Sequence, residues 1–166
     1  MRRFLSFLFV LAATFDAHAA EPLVNFNVVL LQPGSTLEQR VPSVDVMAEY
    51  VRSVEMAARN AVAASKARQS LGGFIVVAVR PGLQSKVWLD FDALLDLDIR
   101  KQIIDAVQAV KPFEARTGPV VFALNVSLWG GARTKRVAPS PPEWKKRTQG
   151  GTPLEVGELV EAAWND

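Results

Sequence analysis

The sequence predicts an α+β fold, a small and mainly antiparallel sheet packed against two helices, and three observations carry that prediction. Short apolar stretches with strand character recur at 23–31, 74–80, 85–91 and 120–129. Two longer stretches, 44–69 and 98–110, place apolar residues at helical spacing. Between the second and third strands lies Pro81-Gly82, a turn short enough to require a hairpin, which sets at least that pair antiparallel.

The chain opens with Arg2-Arg3, an apolar run from Phe4 to Phe15 broken by Ser6 and Thr14, and then Ala17-His18-Ala19. This order of charge, apolar stretch and small residues is that of a cleavable signal peptide over residues 1–19, with cleavage expected after Ala19. The run is shorter than the roughly 20 residues that span a bilayer, so no transmembrane segment is expected after cleavage. The expected location is therefore periplasmic or secreted, in a bacterium. Loss of Arg2, Arg3 and Asp16 takes the 19 basic and 17 acidic side chains to 17 and 16. A balance that even says little about partners, and nucleic acid is not expected of an exported chain without a stacking platform.

The only histidine, His18, leaves with the signal peptide, and the chain has no cysteine. Without either residue, Ser-His-Asp and Cys-His catalysis, thiol redox chemistry and His- or Cys-ligated zinc are excluded, and no cofactor is expected. A non-catalytic role follows as the expectation. The competing reading is a small carboxylate-dependent hydrolase acting on envelope glycans.

Residues 20–131 read as a single domain. In the first strand Val24, Phe26, Val28 and Leu30 are expected on one face, with Asn25 and Asn27 on the other. Ser43 is placed to cap the long helix, with Asp45 and Glu49 near its positive end. Met47, Val51, Val54 and Ala58 form its stripe, and Gly72-Gly73 is expected to close it near Gln69. Phe74 to Val79 is a continuous apolar run, the pattern of a buried central strand. In the next strand Val87, Leu89 and Phe91 point inward, and Lys86, Trp88 and Asp90 outward. Asp98 is expected to cap the second helix, whose stripe is Ile99, Ile103, Val107 and Val110. Val120, Phe122, Leu124, Val126 and Leu128 share one face of the last strand. Residues 132–151, rich in proline and basic residues, read as an extended, mobile linker. A short acidic helix is expected in 152–166, starting from Thr152-Pro153.

The succession of long helix, hairpin, helix and strand between residues 43 and 130 resembles the periplasmic C-terminal domains of the TonB/TolA superfamily. The resemblance is carried by a strand ending in a glycine turn (Phe74 to Gly82), a second strand (Ser85 to Phe91), the Asp-led helix IRKQIIDAVQAVKPF and the final strand PVVFALNVSLWG. Asp90-Phe91-Asp92 stands where that family usually has Ser-Ser-Gly. What the resemblance implies is a domain that binds a periplasmic or outer-membrane protein, or another envelope component, through an exposed sheet edge.

Candidate contacts for such a partner are Trp88 and Trp129 on the sheet, and Trp144, Lys145, Lys146 and Arg147 in the basic stretch. Asp90, Asp92, Asp96 and Asp98 place carboxylates closely enough to suggest a calcium or magnesium site. The expectation is nonetheless no metal, with a strand end and loop whose last carboxylate caps the helix that follows; the cation site is the alternative.

Overall fold

The computed structural model describes residues 20–148 and 154–165. The expected signal peptide lies outside them, as do Thr152 and Pro153. The elements in chain order are β1 (Leu23–Leu30), α1 (Gly34–Arg40), α2 (Val44–Ala64), β2 (Leu71–Arg80), β3 (Gln84–Phe91), α3 (Leu97–Gln108), β4 (Val120–Leu128), α4 (Pro142–Thr148) and α5 (Val156–Ala162).

The fold is α+β, as the sequence predicts. The strands form one sheet in the order β1-β4-β2-β3, and all neighbours are antiparallel. The two strands that read as most apolar, β2 and β4, take the centre. β1 and β3 are the edges.

On one face of the sheet, α2 and α3 bury Tyr50, Val54, Ala58, Ile99, Ile103 and Val107 against Val87, Leu89, Phe122 and Leu124. The periodicities of helix and strand thus meet in a single core. Ser43 caps α2 as expected, its Oγ accepting from the Val46 N–H at 3.2 Å. The end of α2 differs. It stops at Ala64, where Ser65 turns to extended backbone, and Gly72-Gly73 lies within β2. Those glycines serve close approach of chains instead of helix closure. A Cβ on Gly72 would stand 2.1 Å from the Ala132 carbonyl oxygen, and one on Gly73 2.5 Å from the Phe91 Cα. The α3 cap also moves, two residues back from the expected Asp98. Asp96 supplies it, accepting from the N–H groups of Asp98 at 2.9 Å and Ile99 at 3.3 Å, while Asp98 sits in the first turn where its charge suits the helix dipole.

The other face of the sheet is covered too, which the sequence does not foretell. Phe74, Val76, Ala78, Trp88, Val121 and Ala123 form a second core with Trp144 of α4 and with Leu159, Val160 and Ala163 of the C-terminal segment. The expected linker is therefore corrected. Residues 132–148 lie against the sheet, and their second half is helical. Arg136 fastens them. Its Nη1 donates to the Asp90 carboxylate at 2.5 Å, its Nη2 to the Asp90 carbonyl at 2.7 Å and its Nε to Asp92 at 3.0 Å. The Ser140 N–H adds a bond to the same Asp90 carboxylate at 2.6 Å. Asp90 points away from α2 and α3, as alternation requires, yet is buried because the tail covers it. The last helix starts at Val156, capped by Glu155, whose N–H donates to the Glu158 carboxylate at 3.2 Å.

Tyr50 is the only tyrosine of the chain, and its ring meets Phe113 and Phe122 edge to face at 5.5 and 6.1 Å. Burial pushes its phenol above the ordinary value, with the Ser85 side chain opposing the shift. A raised pKa means the folded chain keeps a proton that the unfolded chain releases above about pH 10. Stability is thus unaffected below that pH and falls as pH rises through the folded-state value. In an alkaline titration the phenolate absorption band should appear together with loss of the folded circular dichroism signal. A band that appears at the ordinary tyrosine pH in a still-folded protein would contradict the burial.

Candidate functional site

The aspartates are structural. Asp90 and Asp92 are held by Arg136, Thr134 and the Ser140 N–H, and Asp96 caps α3. Among the described residues no three acidic or histidine side chains converge on a position that could hold a metal ion. Of the four aspartates, Asp96 supplies the helix cap and Asp90 and Asp92 anchor residues 132–148.

The tryptophans are also in the interior. Trp88 is 2% exposed and Trp144 5%, their rings meeting edge to face at 5.5 Å. Trp129 closes the helix-side core beneath the Arg68 guanidinium, 3.9 Å from its ring centre. None of the three is an exposed anchor, and the tail-covered sheet is the reason for two of them. Lys145, Lys146 and Arg147 do lie on the surface, in the last turn of α4 where positive charge suits the helix end.

Three of the exposed large apolar side chains, Phe26, Val28 and Leu30, lie together on β1. The Leu31 N–H donates to the Val121 carbonyl at 3.2 Å, and Val29 and Asn27 pair with Ala123 and Asn125 in the same alternation. Antiparallel ladders turn successive residues to opposite sides, so the N–H and C=O of Val28 and Leu30 point away from β4, to the open edge. A bulge between Asn25 and Asn27 sets the faces. Below it Asn25 reaches α2, its Nδ2 donating to Glu55 at 2.8 Å. At the bulge Phe26 and Asn27 both meet Arg133 of the tail. Above it Val28 and Leu30 return to the helix side. The expected grouping of Val24, Phe26, Val28 and Leu30 on one face is corrected accordingly.

Val28 and Leu30 remain 37% and 53% exposed. They form one wall of a groove of about 690 Å³, whose other walls are Leu37 and Val41 of the α1 segment and Met47 and Val51 of α2. The α1 helix that closes the groove is not apparent from periodicity, because GSTLEQR carries one apolar residue. It is held instead by Arg40, whose Nη1 donates to the Pro119 carbonyl at 2.8 Å. At the rim stand Glu38, Arg52 and Glu55. Glu55 is taken by Asn25 and by Arg59 at 2.8 Å. Glu38 and Arg52 are without an ion pair or side-chain hydrogen bond among the described residues.

Comparison with protein-family models, curated proteins and solved structures gave no match. The chemistry of the site therefore rests on its own geometry. An open strand edge beside an apolar groove can accept an extended backbone, with alternate side chains of the incoming strand entering the groove. β1 has no charged residue and no proline within it, so of the devices that usually keep an edge from pairing it carries only the bulge at Asn25 and Asn27, below Val28 and Leu30. β3, the other edge, differs in charge and burial. It carries Lys86 and Asp90, and Val87 to Asp90 are buried.

A second cavity, about 700 Å³, lies between Arg40 and Pro119 on one side and Glu155, Glu158 and Glu161 on the other. Its carboxylates have other work. Glu158 bonds the Glu155 N–H, and Glu161 pairs with Arg80 at 3.4 Å.

Proposed function

We propose that this chain is a non-catalytic, exported interaction domain that binds an extended segment of an envelope protein along β1. The observation that carries the reading is the outward-facing backbone of Val28 and Leu30 beside the apolar groove. The TonB/TolA resemblance, which implies binding through a sheet edge, supports the same mode. Affinity would come from backbone hydrogen bonds to β1, and selectivity from apolar side chains that alternate into the groove.

The test is site-specific photo-cross-linking in cells. A photoreactive residue at Leu30 should give one dominant cross-linked protein, whereas one at Lys101, an exposed position on α3, should not. Capture should fall sharply in Val28→Lys, because an unpaired charge would be placed against the apolar groove. Neutralising Lys145 and Lys146 should leave it intact, since α4 is on the opposite face of the sheet. Loss of capture on that neutralisation, with Val28→Lys unaffected, would move the binding surface to the basic helix.

Export makes a separate prediction. Protein recovered from the periplasm or medium should begin at Ala20 or Glu21, as read by mass analysis of its N-terminus. Recovery of chain that retains Met1 would contradict it.

A further inference from the structure

We propose that a second copy of this chain occupies the edge, its β1 pairing antiparallel with this one about a two-fold axis through Val29. The proposal rests on the reading of β1 as a binding edge and names its occupant.

The groove asks for an extended strand with apolar residues two apart, because only alternate side chains face it. β1 itself presents that pattern as Val28 and Leu30, both partly exposed. Receptor and ligand are thus the same segment, the condition for an isologous interface. The register follows from the hydrogen bonds. With the axis at Val29, Val28 of one copy stands opposite Leu30 of the other, and both residues turn their N–H and C=O outward. Each such pair can then exchange both backbone bonds. Moving the axis to Val28 would set Leu30 against Phe26, whose ring the bulge has turned to the other face under Arg133. Pairing with an identical strand normally opposes like charges near the axis. β1 has none.

The rim charges agree with this register. It brings Pro33 of the second copy to the level of Asn25, whose amide is bonded to Glu55 of α2. The α1 helix that follows Pro33, with Glu38 on it, would then lie on the α2 side of the seam, where Arg52 stands at the groove rim about one turn from Glu55. The symmetric contact repeats the pair. Two charges left without partners within one copy are complementary between copies, and a heterologous strand would have to displace the second copy.

Sedimentation equilibrium on the exported chain tests the proposal. A reversible monomer–dimer equilibrium is expected, and Leu30→Lys should weaken it by about tenfold or more through the burial of an unpaired charge. Glu38→Arg and Arg52→Glu should each weaken it, and the double exchange should restore it, which a merely structural role for either residue would not produce. Because the chain has no cysteine, Val29→Cys gives a clean report of register. Val29 would face its own copy in a non-hydrogen-bonded pair, close enough for a disulfide, so oxidation should yield covalent dimer. A monomer at every concentration, or a dimer indifferent to Leu30→Lys, overturns self-pairing. If the purified chain is monomeric while Leu30 still cross-links another protein in cells, self-pairing is removed and the edge reading stands.

Discussion

Deletion of residues 132–166 is expected to abolish cooperative folding of the domain. The segment looks dispensable by composition, with its prolines and basic residues, but it supplies one entire layer. Trp144, Leu159, Val160 and Ala163 leave with it, and Phe74, Val76, Trp88, Val121 and Ala123 are exposed to water on the sheet face they covered. Burial of each large apolar side chain is worth roughly 1.5–3 kcal/mol, while domains of this size have about 5–15 kcal/mol in total. Several such losses exceed the reserve. Asp90 would lose Arg136 and the Ser140 N–H but would itself be exposed to water, so the cost is that of the apolar layer. Thermal unfolding followed by near-ultraviolet circular dichroism checks this directly. The truncated chain should show no cooperative transition and should aggregate, whereas a transition within a few degrees of the intact protein would mean that the tail is an accessory.

Phe122→Ala should be the most damaging single substitution on the helix side, at about 3–5 kcal/mol. Phe122 is fully buried in β4, a central strand, and its ring meets Tyr50 of α2. Removing it opens a cavity at the junction of sheet and helix, where β4 is paired on both sides and cannot collapse inward. Denaturant titration should show the midpoint reduced at an unchanged slope. A loss below about 1 kcal/mol would mean that the core does not centre on this strand.

The strands and both long helices were legible because each carries its own period. Val87, Leu89 and Phe91 alternate, Ile99, Ile103 and Val107 recur at helical spacing, and both sets face the same core. The second face of the sheet was not legible for a related reason. Trp88 and Asp90 fall on the outward side of an alternating strand, a pattern that is the same whether water or another layer lies beyond it. The covering layer gives no period either, since α4 is one short helix anchored by Trp144 alone. Its basic residues belong to its exposed side and dominate the composition.

The candidate site escaped the sequence for a different reason. An edge is a property of strand order, and β1 becomes one only because β4, about a hundred residues away in the chain, pairs with its other side. The bulge at Asn25 and Asn27 then decides which side chains accompany the open backbone. Aromatic residues, the usual signal for an interface, misled because Trp88, Trp129 and Trp144 were recruited to the two cores. The uncharged character of LVNFNVVL was readable, but it gains meaning only once the strand is known to be an edge.

The central claim, that β1 is an open edge covered on binding, is tested most directly by residue-resolved amide hydrogen exchange. In the monomeric chain the Val28 and Leu30 amides should exchange rapidly, while Val29, bonded to β4, and Val76 in the central strand should be protected. On saturation of the edge, by a second copy or by the protein cross-linked at Leu30, the Val28 and Leu30 amides should become protected with little change elsewhere in the sheet. Protection of both amides in the free monomer, or rapid exchange of both in the bound state, would contradict the account.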